Sequence, residues 1–249
     1  MNRYWIWLAY VFVLAPSPAL AGAEPVSSSR IDYFLADTGV ELTAYVSVSS
    51  PESLIVRLKK ICAKGGKVWA VDSGLGYTCK SMTKHDGVNE WHYRVVLKIN
   101  LKLDESIYPS LFSVNKDSAQ RLSQRPLTEE QRNRLIKILS KNKTLYQGTI
   151  AAIEKNMGKA APMKGVVAYL IPWHIENDEY GRNQVYLVAV QDNEVITIKG
   201  EMRGEIRGIY SIVGRKYPAV QVSTDGDGVF EYLYPTESPA NPLVEISVH

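Results

Sequence analysis

Cysteine and histidine are both scarce in this sequence. The 249 residues include two cysteines, Cys62 and Cys79, and four histidines. No His-Glu-x-x-His motif, phosphate-cradling glycine loop or dinucleotide-binding fingerprint occurs. The two thiols lack Cys-x-x-Cys spacing and have no histidines beside them, as a metal or redox site would need. These absences weigh against the common metal-dependent, nucleotide-dependent and thiol-dependent enzyme classes.

Long apolar runs are also missing, with one exception at the N-terminus. Arg3 precedes an apolar run over 5–14, and small residues follow up to Ala21 and Ala23. This order predicts a secretory signal peptide over residues 1–23, cleaved after Ala21 or Ala23. The run is shorter than the roughly 20 residues that span a bilayer. We therefore expect a periplasmic or secreted protein that is not inserted in a membrane after cleavage.

The predicted export determines how the two cysteines are interpreted. An even pair of cysteines in an oxidising compartment predicts a disulfide between Cys62 and Cys79. A bridge that closes a loop of this size contributes about 3 kcal/mol in the chain-entropy model. We expect it to join a helix, which ends at Gly65 and Gly66, to the hairpin that follows.

Dense runs of lysine and arginine are absent, although charge is divided along the chain. The net charge of +3 combines 22 basic and 14 acidic residues over 22–164, a balance of +8, with 6 basic and 12 acidic residues over 165–249, a balance of −6. This division predicts one basic and one acidic surface. Nucleic acid is not a predicted partner, because the basic residues are spread out and no RNP-type aromatic motif is present.

Hydrophobic periodicity predicts an α+β fold. The first part is expected to hold a mixed sheet with about three helices and the one disulfide. Alternation from Trp91 to Leu103 indicates a strand with a basic outer face. Ser50 and Pro51 indicate the start of a first helix. A capping box at Thr128 and Gln131 predicts a second helix, and 144–156 a third, with Leu145, Thr149, Ile153 and Met157 along one side and Gly158 as its end.

The remainder of the chain is predicted to be mainly antiparallel β. Seven short strand patterns recur, at 166–172, 184–190, 195–201, 208–213, 219–223, 229–234 and 243–248. The predicted organisation is a signal peptide over 1–23, an α+β domain over 24–164, and an antiparallel β domain, or the second half of the same domain, over 165–249. The polar stretch 159–165 is interpreted as a linker between them.

One stretch near the C-terminus carries a pattern of metal ligands. Ser223, Asp225 and Asp227 alternate and are followed by Gly228 and Glu231, at positions 1, 3, 5, 6 and 9 of a calcium loop. The spacing resembles the calcium loop of integrin-like FG-GAP repeats, with serine at the first position and glutamate at the last. The resemblance implies that Ser223, Asp225, Asp227 and Glu231 bind calcium. The alternative is a plain hairpin turn, because Asp-Gly pairs between two strand patterns favour a hairpin.

Two weaker constellations carry reactive side chains. His174, Glu176 and Asp178 alternate, which on a strand would place a base and acids, or three metal ligands, on one side. Ser73 follows an aspartate and precedes a glycine, but it lacks the Gly-x-Ser-x-Gly elbow and a nearby histidine.

These observations favour a binding protein over an enzyme. No nucleophile has a visible base, and the composition and disulfide suit an exported module that binds another exported or cell-envelope protein, such as an inhibitor or immunity-type protein. The alternative is a cell-envelope hydrolase that acts on glycan or peptide, because catalytic carboxylate pairs are assembled in space rather than in sequence.

Overall fold

Antiparallel β-strands form most of the regular structure. The structure is a computed structural model that describes residues 33–38, 42–47, 52–84, 92–98, 110–175, 184–225 and 229–248. Within these ranges sixteen strands form three antiparallel sheets, accompanied by three α-helices. None of the helices in the described ranges is long and apolar enough to cross a bilayer. The predicted signal peptide lies outside the described residues.

The first sheet is a closed barrel. Its strands are β1 (Tyr33–Thr38), β2 (Leu42–Ser47), β3 (Lys67–Ala70), β4 (Gly76–Lys84), β5 (His92–Lys98) and β6 (Ser110–Ser113). They follow the order β1-β2-β5-β4-β3-β6, and β6 pairs with β1 to close the ring. Closure leaves every barrel strand paired on both sides, so the barrel has no free sheet edge.

One helix, α1 (Glu52–Ala63), packs against the barrel and supplies part of its core. Leu54 and Leu58 of α1 are fully buried in a cluster that also contains Phe34 and Phe112. The predicted disulfide is confirmed, since Cys62 at the end of α1 is bonded to Cys79 of β4. The bridge therefore fastens the helix to the barrel wall.

Two further sheets are built from the rest of the chain. The middle sheet has the order β16-β15-β14-β13-β7, and the outer sheet has the order β12-β11-β10-β9-β8. Their strands are β7 (Ala119–Arg121), β8 (Arg125–Pro126), β9 (Lys159–Met163), β10 (Val166–Ile175), β11 (Gln184–Asp192), β12 (Val195–Arg203), β13 (Glu205–Ile212), β14 (Ala219–Asp225), β15 (Val229–Pro235) and β16 (Val244–Val248). The seven strands predicted over 166–248 are thus present.

The middle sheet is covered on both faces. Tyr210 and Leu233 pack with Tyr33 and Leu111 of the barrel. On the opposite face, residues such as Val220 pack against the outer sheet. The two faces follow the strand period of two, in which successive side chains point to opposite sides. Side chains of the middle sheet that face the barrel are therefore buried, including the polar ones.

Helices α2 (Glu129–Leu139) and α3 (Gln147–Glu154) cover the other face of the outer sheet, with a short 3-10 helix (Ser140–Asn142) between them. The capping box of α2 is confirmed: Thr128 N donates to Gln131 Oε1 at 2.9 Å, and Gln131 N donates to Thr128 Oγ1 at 3.2 Å.

Helix α3 is shorter than the predicted 144–156. Of the four residues predicted along one side, Thr149 and Ile153 are buried, whereas Leu145 is 49% exposed and Met157 is 40% exposed. The helix ends before Gly158 because Asn156 adopts a positive φ of 57° and turns the chain toward β9. The predicted bounds were therefore wrong at both ends of the helix.

The predicted fold class was wrong. The protein is mostly β, and its N-terminal part is a closed antiparallel barrel with one helix rather than a mixed sheet with about three helices. Helices α2 and α3 instead cover the outer sheet. Sequence periodicity identified most of the elements, but strand pairing depends on long-range contacts that the local pattern does not encode.

The stretch interpreted as a linker is also a strand. Residues Lys159–Met163 form β9, which pairs with β10 through Met163 opposite Val166 and Lys159 opposite Leu170. Gly165 allows the tight connection because its φ is +77°, which favours glycine. Two alanines of β9, Ala160 and Ala161, are buried on opposite faces of the outer sheet.

Candidate functional site

The stretch with the calcium pattern lies in the hairpin of β14 and β15. Ser223 is directly opposite Glu231 in the ladder, and Asp225 is opposite Val229. Residues 226–228, which include Asp227, lie outside the described residues. The structure thus brings Ser223 and Glu231 together, and it confirms that the two flanking strands pair as a hairpin.

Glu231 faces the interior. Its side chain is fully buried, and Gln221 Nε2 donates to its Oε2 at 2.9 Å. Its Oε1 lies 3.7 Å from Arg207 Nε. Burial raises the pKa of Glu231, although hydrogen bonds from Gln221 and Ser223 and the charge of Arg207 oppose this change. Oε2 of the carboxylate is therefore engaged by a donor of the protein, whereas Oε1 has the nearby charge of Arg207 but no hydrogen bond within the described residues.

A chain of polar contacts continues from Glu231 to the barrel. The Tyr210 hydroxyl lies 3.1 Å from Gln221 Oε1 and 3.3 Å from Asp72 Oδ2, and its single proton serves one acceptor at a time. Asp72 belongs to the turn between β3 and β4, and its Oδ2 is 3.3 Å from Arg121 Nη1. Burial, followed by the charge of Asp72, raises the pKa of Tyr210 far above its usual value.

This buried polar chain of Asp72, Tyr210, Gln221, Glu231 and Arg207 is closed to substrates at its centre. Tyr210 and Glu231 are fully buried and Gln221 is 1% exposed. A catalytic carboxylate needs contact with its substrate. The arrangement can orient the middle sheet on the barrel and respond to pH through Glu231, and its three central side chains, Tyr210, Gln221 and Glu231, have almost no contact with solvent.

An open groove lies beside α3. It has a volume of about 220 Å³ and is lined by Gly148, Ala151, Ala152, Lys155, Met157, Pro172 and Trp173. Small side chains on α3 let the helix approach the end of β10 closely. A Cβ atom on Gly148 would lie 2.7 Å from the backbone oxygen of Trp173, so glycine is required there.

The described lining of the groove suits the binding of an apolar group. Among the described residues, the lining holds no carboxyl, imidazole, thiol or hydroxyl group, and its one ionisable side chain there is Lys155. Met157 and Trp173 supply adaptable and flat apolar surfaces, which suit a bound side chain. Lys155 adds a positive charge at the C-terminal end of α3. The groove can therefore accept an apolar group that lies beside an acidic one.

Sequence reasoning missed this groove. Helical periodicity places Met157 only on one side of the predicted helix, and Trp173 falls just after the predicted strand 166–172. One signal was present: Gly148, Ala151 and Ala152 place small residues at helical spacing on one side of α3. Their partner, the end of β10, could not be identified without the tertiary structure.

The other predicted reactive residues are not assembled into a site within the described residues. Ser73 is exposed in the turn after β3, where its Oγ accepts a hydrogen bond from Leu75 N at 3.3 Å. His174 lies at the end of β10, whereas Glu176 and Asp178 are outside the described residues. In the part of the chain that is described, no three His, Cys, Asp or Glu side chains are grouped to hold a metal ion.

Comparison with known proteins gives no relative. No protein-family model, curated protein or solved structure matches this chain. Its function must therefore be argued from its own residues.

Proposed function

We propose that this protein is an exported binding module whose partner is another exported or cell-envelope protein, in the manner of an inhibitor or immunity-type protein. The observation that carries the proposal is the groove beside α3, whose described lining combines apolar side chains, among them Met157 and Trp173, with the positive charge of Lys155. The centres of protein–protein interfaces are enriched in tryptophan and methionine, because both side chains bury large apolar surfaces on binding.

The charge of the surrounding helices favours an acidic partner. Residues 129–155 contain six lysines and arginines against three glutamates. Lys137, Lys141, Lys143 and Lys155 are all exposed. Complementary charge steers association and suppresses partners of like charge. We infer that the partner inserts an apolar side chain next to a carboxylate, which Lys155 contacts.

The test begins with the mature protein as bait in the extracytoplasmic fraction of its own cells. Its intact mass should correspond to a chain that begins at Gly22 or Glu24, because export is part of the proposal. The captured protein is identified by mass spectrometry and purified, and its affinity for the bait is measured by calorimetry. A stoichiometric partner rich in acidic residues at its contact surface is the expected result.

A matched pair of variants locates the interface. Ala151→Phe fills the groove from a half-buried position on α3 and should weaken binding at least about tenfold, or about 1.4 kcal/mol. Ala63→Phe, at the exposed end of α1, should leave the affinity unchanged. Equal affinities for the two variants would contradict docking at the groove. Turnover of cell-wall glycan or peptide by the purified protein would instead support the hydrolase alternative.

A further inference from the structure

The outer wall of the barrel carries a large aromatic side chain beside two lysines. On β3, Val68 and Ala70 are buried, whereas Lys67 is exposed and Trp69 is partly exposed. Lys67 Nζ lies 6.0 Å from the centre of the Trp69 ring, and Lys116 Nζ lies 5.5 Å from it. Both distances fall in the range in which an ammonium group is attracted to the ring face.

The Trp69 ring is held flat by the neighbouring strand. Trp69 is directly opposite Gly76 in the ladder of β3 and β4. A Cβ atom at Gly76 would lie 2.8 Å from Cζ3 of the indole. The ring therefore packs against the backbone of β4 at Gly76. A side chain that is restrained by such packing loses less conformational entropy when it binds.

The lysines of this wall have no carboxylate partner among the described residues. Lys67 and Lys116 contact the Trp69 ring and form no ion pair within the described ranges. Lys80 of β4 is also exposed and likewise has no ion-pair partner there. Like charges close together repel each other. An anion placed between them would remove this repulsion and gain two charge-assisted hydrogen bonds.

We propose that this wall, formed by Lys67, Trp69, Gly76 and Lys116, binds an anionic saccharide. The electron-rich face of the indole packs against the C–H groups of a sugar ring, and the two ammonium groups bind the carboxylate that gives this saccharide its charge. An extended acidic peptide fits less well. Strand β3 is paired with β4 and β6, and β4 with β3 and β5, so no free backbone edge is available for a peptide strand.

The first test measures direct binding of a uronate oligosaccharide to the wild-type mature protein. Binding is monitored by calorimetry and through the indole N–H resonance of Trp69 in NMR spectra. We expect saturable binding that shifts the Trp69 resonance. A neutral oligosaccharide of equal length and a polyglutamate of equal charge should each bind at least tenfold more weakly. Absence of uronate binding, or a uronate complex that leaves the Trp69 resonance unmoved, would overturn the proposal. Polyglutamate that binds as tightly would show that the wall recognises charge alone, which also overturns it.

Variants separate the ring from the charges. Trp69→Ala should weaken uronate binding at least tenfold, and the double substitution of Lys67 and Lys116 by alanine should do the same. Trp69→Phe keeps a ring over Gly76, so it should fold normally and retain part of the affinity. Lys143→Ala, an exposed lysine of the helical layer, is the control and should bind like the wild type. Equal affinities for Trp69→Ala and Lys143→Ala would reject the site.

Discussion

At the scale of single residues, Glu231 is the one charged residue that is buried among the described side chains. It is fully buried, and its Oε2 accepts a hydrogen bond from Gln221, whereas its Oε1 lies 3.7 Å from Arg207 Nε without a hydrogen bond. Burying a carboxylate costs free energy unless the surrounding donors compensate. The raised pKa of Glu231 indicates that the compensation is incomplete, so the folded protein holds a proton on this side chain more tightly than the unfolded chain does.

The raised pKa of Glu231 predicts that the free energy of unfolding falls as the pH rises. The folded pKa of Glu231 lies above the unfolded value, so the loss occurs as the pH rises from the ordinary glutamate range through the raised value. Each tenfold difference in proton affinity between the folded and unfolded states corresponds to about 1.4 kcal/mol of unfolding free energy. Glu231→Gln cannot ionise and should show a flatter dependence of unfolding free energy on pH, measured by urea denaturation. Arg207 would still pair with Glu205 at 2.8 Å.

Glu201→Gln provides the control for that experiment. Glu201 is exposed on β12, so its substitution should leave the pH dependence of the wild type intact. Identical pH profiles for Glu231→Gln and the wild type would show that the burial of Glu231 does not cause the change of unfolding free energy with pH.

At the scale of elements, the β14–β15 hairpin is where sequence pattern and structure can be compared most closely. The calcium pattern treats Ser223 and Glu231 as ligands, but both are ladder residues, and Glu231 faces Gln221 and the barrel side of the sheet. An ion bound through Glu231 would compete with Gln221 at Oε2 and with the charge of Arg207 beside Oε1. Calcium binding stays a prediction.

The calcium prediction can be tested through thermal stability. Calcium that binds only the folded state should raise the unfolding midpoint of the wild type, by an amount equivalent to about 2.7 kcal/mol at a hundredfold excess over Kd. Magnesium should do much less, because it requires a tighter octahedron. Asp227→Ala should abolish the shift and still fold in EDTA, because the remaining Asp-Gly pair of the sequence, Asp225 and Gly226, can still turn the chain. A midpoint that does not respond to millimolar calcium would leave only the hairpin.

The same scale shows what could be predicted from the sequence. The capping box at Thr128, the disulfide and the strands after residue 165 follow from patterns a few residues long, and the structure contains them. The pairing of β6 with β1 and of β7 with β13 joins segments far apart in the chain. No local pattern encodes such partners, so the barrel was missed. The groove was missed for the same reason, because Gly148 and Trp173 meet only after α3 packs on β10.

At the scale of the whole molecule, the segments before and after residue 164 share their sheets. From the earlier segment, β7 pairs with β13, β9 pairs with β10, and β8 extends the outer sheet. The buried polar chain also connects the two segments, because the hydroxyl of Tyr210 in the middle sheet lies 3.3 Å from Oδ2 of Asp72 in the barrel. Residues 31–249 accordingly form one compact unit. This interdependence leads to a prediction about fragments.

We expect the fragment 165–249 not to fold alone. Without β9 and β7, β10 and β13 would become unpaired edge strands. Each sheet would also lose the side chains that cover one of its faces, those of the barrel on the middle sheet and those of α2 on the outer sheet. Its NMR spectrum should show poor dispersion, and its circular dichroism should lack a cooperative thermal transition. The matched control is the full-length protein with a protease site placed in the exposed turn at Lys164 and Gly165 and cut after folding. The cut protein should keep a dispersed spectrum, because the ladder between β9 and β10 and the surrounding core remain intact. A well-dispersed spectrum from 165–249 alone would instead establish that the later segment is an independent domain. The middle and outer sheets would then form without β7, β8 and β9.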